Sequence, residues 1–163
     1  QGIHALEIFN YNTVQESSTG YDVTYWDAML RRGRKIRAFA SDDNHNEGLF
    51  EDSCGGWICI QAPALTHDDL IQNFLSGNYY SSSGPEILDW GICNGIAYVE
   101  CSPVNRIHFV AGNQINDGTT VHGVSLEDTL TGAKYCLKGH ETYLRIECVD
   151  RFGRTAWTNP MFL

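Results

Sequence analysis

Residues 42–45, Asp-Asp-Asn-His, place two carboxylates, an amide and an imidazole directly behind the apolar stretch "KIRAFAS" at 35–41. In extended backbone, residues two apart point the same way, so Asp43 and His45 present a carboxylate oxygen and an imidazole nitrogen side by side. That pair can grip one divalent cation, and its mixed O/N character suits zinc, manganese or iron better than calcium. The same four residues also read as a polar turn in which Asp and Asn bond their own backbone. Two donors do not make a metal centre, and the choice falls to the surrounding elements.

Those elements begin with "IHALEIF", 3–9, short and apolar enough for a mostly buried strand, followed by a polar loop over 10–20. Val23, Trp26, Met29 and Leu30 recur at helical spacing and predict a helix from about Val23 to Arg32, with Asp22 as its cap and "RRG" at its end. "KIRAFAS" is a second strand, and it delivers the chain to Asp43 and His45. In parallel α/β sheets, chemistry gathers just past the carboxyl ends of strands. "WICIQAP" at 57–63 reads as a third strand. A helix capped by Thr66 and ended by Gly77 follows, and then a short strand in "NYYSSSG". This rhythm is α/β with parallel pairing.

After Pro85 the rhythm changes. "ILDWGIC", "IAYVECS", "RIHFVAG", "VSLEDTL", "AKYCLKG", "YLRIECVD" and "TAWTNP" are short strands between Gly, Asn, Asp and Pro signals, with "DRFGR" as a hairpin turn. The expected organisation is two units, 1–85 and 86–163, the second an antiparallel, sandwich-like sheet domain.

Composition narrows the partners. With 42% hydrophobic residues, wholesale disorder is excluded, and a net charge of −9 argues against a long nucleic acid, which calls for a basic stripe. The acidity reads first as solubility, although a bound cation can override the chain's sign locally. Six cysteines sit singly in apolar runs without metal-finger spacing, so most are expected in the core of a protein kept reduced, which points to the cytoplasm. No apolar run reaches the ~18–20 residues that cross a membrane. The chain opens "QGIHALEIFN", already inside a strand, and so reads as a piece of a longer protein.

The order "ALEIFN", "YWDAMLRRGRKIRAFASDDNHN" and "GGWICIQAPALTHDDLIQNFLSGNYYSSSGP" resembles the closing third of PHP-domain (polymerase and histidinol phosphatase) metal-dependent phosphoesterases, over roughly residues 2–85. The resemblance implies the last β/α units of a (β/α)7 barrel, with residues 86–163 as a C-terminal β-rich appendage. It implies a small cluster of divalent metals at the strand ends, where metal-bound hydroxide attacks phosphorus in a small or nucleotide-like phosphate ester. Asp43 and His45 match the family's last ligand pair. Asp42 takes a place often held by serine or aspartate, and is not assigned as a ligand. Glu7 and Asn10 match a strand near the site, where they would support the ligands. The family's earlier His-x-His pair and intervening ligands have no counterpart here. His4 stands alone, and His67, His108, His122 and His140 occupy unrelated places.

By itself the chain is therefore expected to be inactive or nearly so. A cut barrel would leave strand edges and apolar faces open, and self-association is the expected consequence. The rival expectation is a non-catalytic module, in which the β-rich region recognises a ligand or protein and the first half is scaffold. Nucleophile-elbow, phosphate-loop and H-E-x-x-H motifs are absent from the sequence, and "GNQIND" does not fit a calcium loop.

Overall fold

A computed structural model describes residues 3–45, 51–112, 117–125 and 127–163. Asn46–Gly48, which flank the Asp43/His45 pair, and Asn113–Asn116 of "GNQIND" lie outside the described residues. The chain divides into two compact units, 1–83 and 84–163.

In the first unit, β1 (Ala5–Asn10) runs straight into α1 (Tyr11–Ser17), where a loop was expected. Asn10 explains the difference: its backbone stays extended while its Oδ1 accepts the Thr13 N–H at 2.9 Å, which makes it a helix N-cap. Helix α2 (Val23–Arg31) buries Trp26 and Leu30, and the Trp26 indole donates to the Ile36 carbonyl at 3.0 Å. Strand β2 (Arg37–Ser41) then pairs parallel with β1, bringing Asn10 opposite Ser41. Beyond a long polar connection come β3 (Trp57–Ile60), α3 (His67–Ser76) and β4 (Tyr79–Ser82). Thr66 caps α3 by accepting the Asp69 N–H, and Gly77 closes it at φ 83°, a backbone state that favours glycine.

The barrel expectation fails here. β3 and β4 are antiparallel, with Ile60 opposite Tyr79, so residues 61–78 return the chain to the end of the sheet it left. A parallel βαβ unit would return it to the opposite end. Among the described residues there are three helices against twelve strands, and within the first unit β1/β2 pair parallel while β3/β4 pair antiparallel. A (β/α)7 barrel needs a helix after each strand, so the chain is not built from barrel units.

The second unit is antiparallel throughout its described pairings. β5 (Ile87–Cys93), β6 (Ile96–Val104) and β9 (Leu130–Cys136) form one sheet. β7 (Arg106–Gly112), β8 (Gly118–His122), β10 (Tyr143–Val149) and β11 (Thr155–Thr158) lie in another, with β12 (Met161–Phe162) beside β10. Asn94 and Gly95 both take positive φ, 50° and 75°, in the two-residue turn that joins β5 to β6. Alternate residues point inward, and Phe109 of β7 stacks on Tyr135 of β9 at 5.7 Å. The strand expected in "VSLEDTL" is displaced: β8 precedes it at "GTTVH", and of the stretch only Leu130 joins β9. Of the six cysteines, all free thiols, Cys101 and Cys148 are buried while Cys54, Cys93 and Cys136 are exposed, so the core expectation holds for a minority.

Candidate functional site

The polar residues singled out in the sequence gather at the carboxyl ends of β1 and β2. Glu7 and Asn10 are three residues apart on one strand, which in regular pleating would set them on opposite faces. A register shift between Glu7 and Phe9 inserts one extra residue and returns both to the same side. The Asn10 amide then reaches Glu7 Oε2 at 3.3 Å and Asp43 Oδ2 at 3.2 Å. Because its Oδ1 is committed to the Thr13 N–H, its NH2 group can only face the carboxylates. Ser41, at the end of β2, donates its hydroxyl to the other oxygen of Glu7. Asn10 thus couples the helix cap to two acidic side chains.

Asp43 is exposed and sits at φ 52°, the left-handed region. That conformation costs an L-residue roughly 1–2 kcal/mol, and Asp is among the few that tolerate it. It also ends the extended run, so Asp43 and His45 do not simply share a strand face as their spacing suggests. His45 is anchored on its own side: its Nδ1 faces the Asn12 amide at 3.3 Å, and its backbone N–H donates to Asp52 Oδ2 at 2.7 Å. Asn12 Nδ2 carries only hydrogens, so Nδ1 accepts and the ring proton resides on Nε2. For Nε2 to ligate a metal, the Asn12 amide would turn over and accept from Nδ1 instead.

Asp42 has different work. Its Oδ2 accepts the Cys54 N–H at 2.7 Å, and its Oδ1 accepts those of Gly55 and Gly56 at 2.8 and 2.7 Å. Three backbone donors wrapped around one carboxylate clamp the end of the long connection onto the end of β2. The glycines permit that approach: a Cβ on Gly55 would stand 2.2 Å from the Tyr11 ring, and one on Gly56 would stand 2.6 Å from the Ser41 carbonyl oxygen. Sequence reading placed Asp42 near the site without this role; the signal was the "GG" at 55–56. Buried Asp52 was missed entirely, and it braces the same loop through the Asn44 amide (2.9 Å) and the His45 N–H.

Among the described residues, no three of His, Cys, Asp and Glu come together as a ligand group. Asp43 Oδ1 carries no hydrogen bond among the described residues, while His45 Nε2 holds the ring proton, so the described residues show no closed ligand shell. Among the described residues, no helix is long and apolar enough to cross a membrane. Compared with protein-family models, with curated proteins and with solved structures, the chain matches none.

Proposed function

We propose that this chain supplies Asp43 and His45 to the divalent-metal centre of a phosphoesterase of the PHP kind, completed by donors beyond the described residues. The substrate class is a small or nucleotide-like phosphate ester. The observation that supports the reading is the convergence of Glu7, Asn10 and Asp43 in one hydrogen-bonded cluster at the carboxyl end of a parallel strand pair. A bound zinc, manganese or iron ion would supply Lewis acidity and an activated water at neutral pH. The chain's own residues orient the donors. Asn10 holds the Asp43 carboxylate, Asn12 fixes the His45 ring, and the Asp42 clamp keeps the segment between them in place.

The test uses the natural protein that contains this sequence, with bound metal and hydrolysis of p-nitrophenyl phosphate and a nucleoside monophosphate measured together. Asp43→Asn removes the charge while tolerating the left-handed backbone, and His45→Ala removes the imidazole. Each is expected to lower metal content and rate by tenfold or more. Wild-type metal content and rate in both variants would overturn the assignment.

A second reading, a non-catalytic ligand-binding module on the β-rich unit, has one observation of its own: a cavity of about 600 Å³ at the sheet end where β7 begins.

A further inference from the structure

Three turns meet at that end of the second unit. Arg106 opens β7 between two partners, with Val149 at the end of β10 on one side and His122 at the end of β8 on the other. The β6–β7 connection, the residues after β8 and the β10–β11 hairpin therefore flank Arg106 and line a half-open cavity of about 600 Å³. Its volume is that of an ordinary small-molecule site. Arg106, Arg151 and His122 line it, all three exposed, together with uncharged Gly123 and Val124.

Charge decides what the cavity can hold. The carboxylate on its wall, Asp150, is already occupied: Oδ1 accepts the N–H groups of Phe152 and Arg154 at 2.8 and 2.9 Å, and Oδ2 accepts Arg154 Nε at 2.7 Å. Asp128, behind the same loop, accepts the Ser125 N–H at 2.8 Å. Among the described residues, neither Arg106 nor Arg151 has an ion-pair partner. In a chain with 20 acidic and 11 basic side chains, two arginines left without carboxylates around one concavity mark it as locally cationic. The Arg151 guanidinium also rests over the Phe152 ring, 4.6 Å from its centroid, which limits its freedom. His122 commits Nδ1 to the Gly123 carbonyl at 3.0 Å and keeps Nε2 for a ligand.

We propose that this cavity binds a small phosphorylated molecule, with Arg106 and Arg151 gripping the phosphate and the uncharged wall receiving the organic part. Two planar forks suit the several oxygens of a phosphate monoester better than a single carboxylate. The inference is independent of the metal reading, since none of its residues lies in the first unit.

The experiment titrates this chain, with chelator present, with adenosine 5′-monophosphate, inorganic phosphate and adenosine, followed by calorimetry and by chemical-shift changes. Saturable binding of the nucleotide, weaker binding of phosphate and none of adenosine is the expected pattern, and raised salt should weaken it. Arg106→Gln and Arg151→Gln should each lower nucleotide affinity by about tenfold or more, the size of one lost charge-assisted contact. Both arginines are exposed, so the variants should keep the wild-type thermal midpoint. Asp43→Asn should leave binding unchanged, which separates this site from the metal centre. Absence of saturable binding by both phosphate probes, equal binding of adenosine, or unchanged affinity in both arginine variants would overturn the proposal.

Discussion

Replacing Asp42 with alanine removes the acceptor of three backbone N–H groups in one step. The Gly56 N–H belongs to a buried residue and has no route to water, so it should bear the full cost of an unsatisfied donor, about 1–3 kcal/mol. Gly55 is half-buried and should bear roughly half of that, while exposed Cys54 can turn to solvent at little cost. The expected loss is therefore about 2–4 kcal/mol. With a urea slope of about 2 kcal/mol per molar, the middle of the usual range, the unfolding midpoint should fall by roughly 1–2 M. Asp42→Asn keeps one acceptor oxygen for Gly55 and Gly56 and turns an NH2 toward Cys54, so it should lose only about 1 kcal/mol. Hydrogen exchange locates the effect, with amides 54–56 exchanging faster in the alanine variant than elsewhere in the chain. A midpoint within about 0.3 M of wild type, together with unchanged exchange at 54–56, would refute the clamp. Wild-type stability combined with lost metal would instead make Asp42 a ligand.

Glu141 offers a pH test. Burial would raise its carboxyl pKa, but N–H bonds from Lys138, Glu141 itself and Gly139, with the Tyr135 hydroxyl, outweigh it and hold the pKa at about 2. The native value lies below the carboxyl's ordinary value of 4.5, so the stabilisation is complete above about pH 4.5 and is lost as pH falls toward about 2. Glu141→Gln should cost about 2–3 kcal/mol at pH 7, and the gap to wild type should narrow on acidification through that window, as measured by urea unfolding at successive pH values. A gap that stays constant down to pH 3 would contradict it. In the first unit, Ile71 and Leu75 on α3 are 43% and 56% exposed, and self-association through this face should raise the sedimentation coefficient with concentration, with Leu75→Glu suppressing the rise. A clean monomer at the highest soluble concentration counts against it.

Much of the local structure was legible in the residue order. The apolar period of Val23, Trp26, Met29 and Leu30, the Thr66 cap, the Gly77 stop and the turn residues of the second unit act over a few positions, so spacing alone reveals them. The helix at Tyr11–Ser17 escaped because its polar sequence carries no apolar stripe. What starts it is the Asn10 side chain, whose capping role depends on the extended backbone before it. Pairing was harder to read. "Strand, helix, strand" describes both a parallel crossover and the out-and-back excursion of 61–78, and only the β3–β4 register separates them.

The sequence by itself determined which residue types stand at positions 42–45, and it left a polar turn and a cation grip both open. Tertiary structure decided how the work is divided among them. The bulge in β1 brings Glu7 and Asn10 to one side, the close approach of Gly55 and Gly56 turns Asp42 into a clamp, and the left-handed turn at Asp43 leaves that carboxylate outside it. These arrangements depend on contacts between segments far apart in the sequence, 14 positions between Asp42 and Gly56, 33 between Asn10 and Asp43 and 34 between Glu7 and Ser41. Short-range periodicity carries no record of such contacts, because the entropy of closing those loops is offset only when the partners are in place.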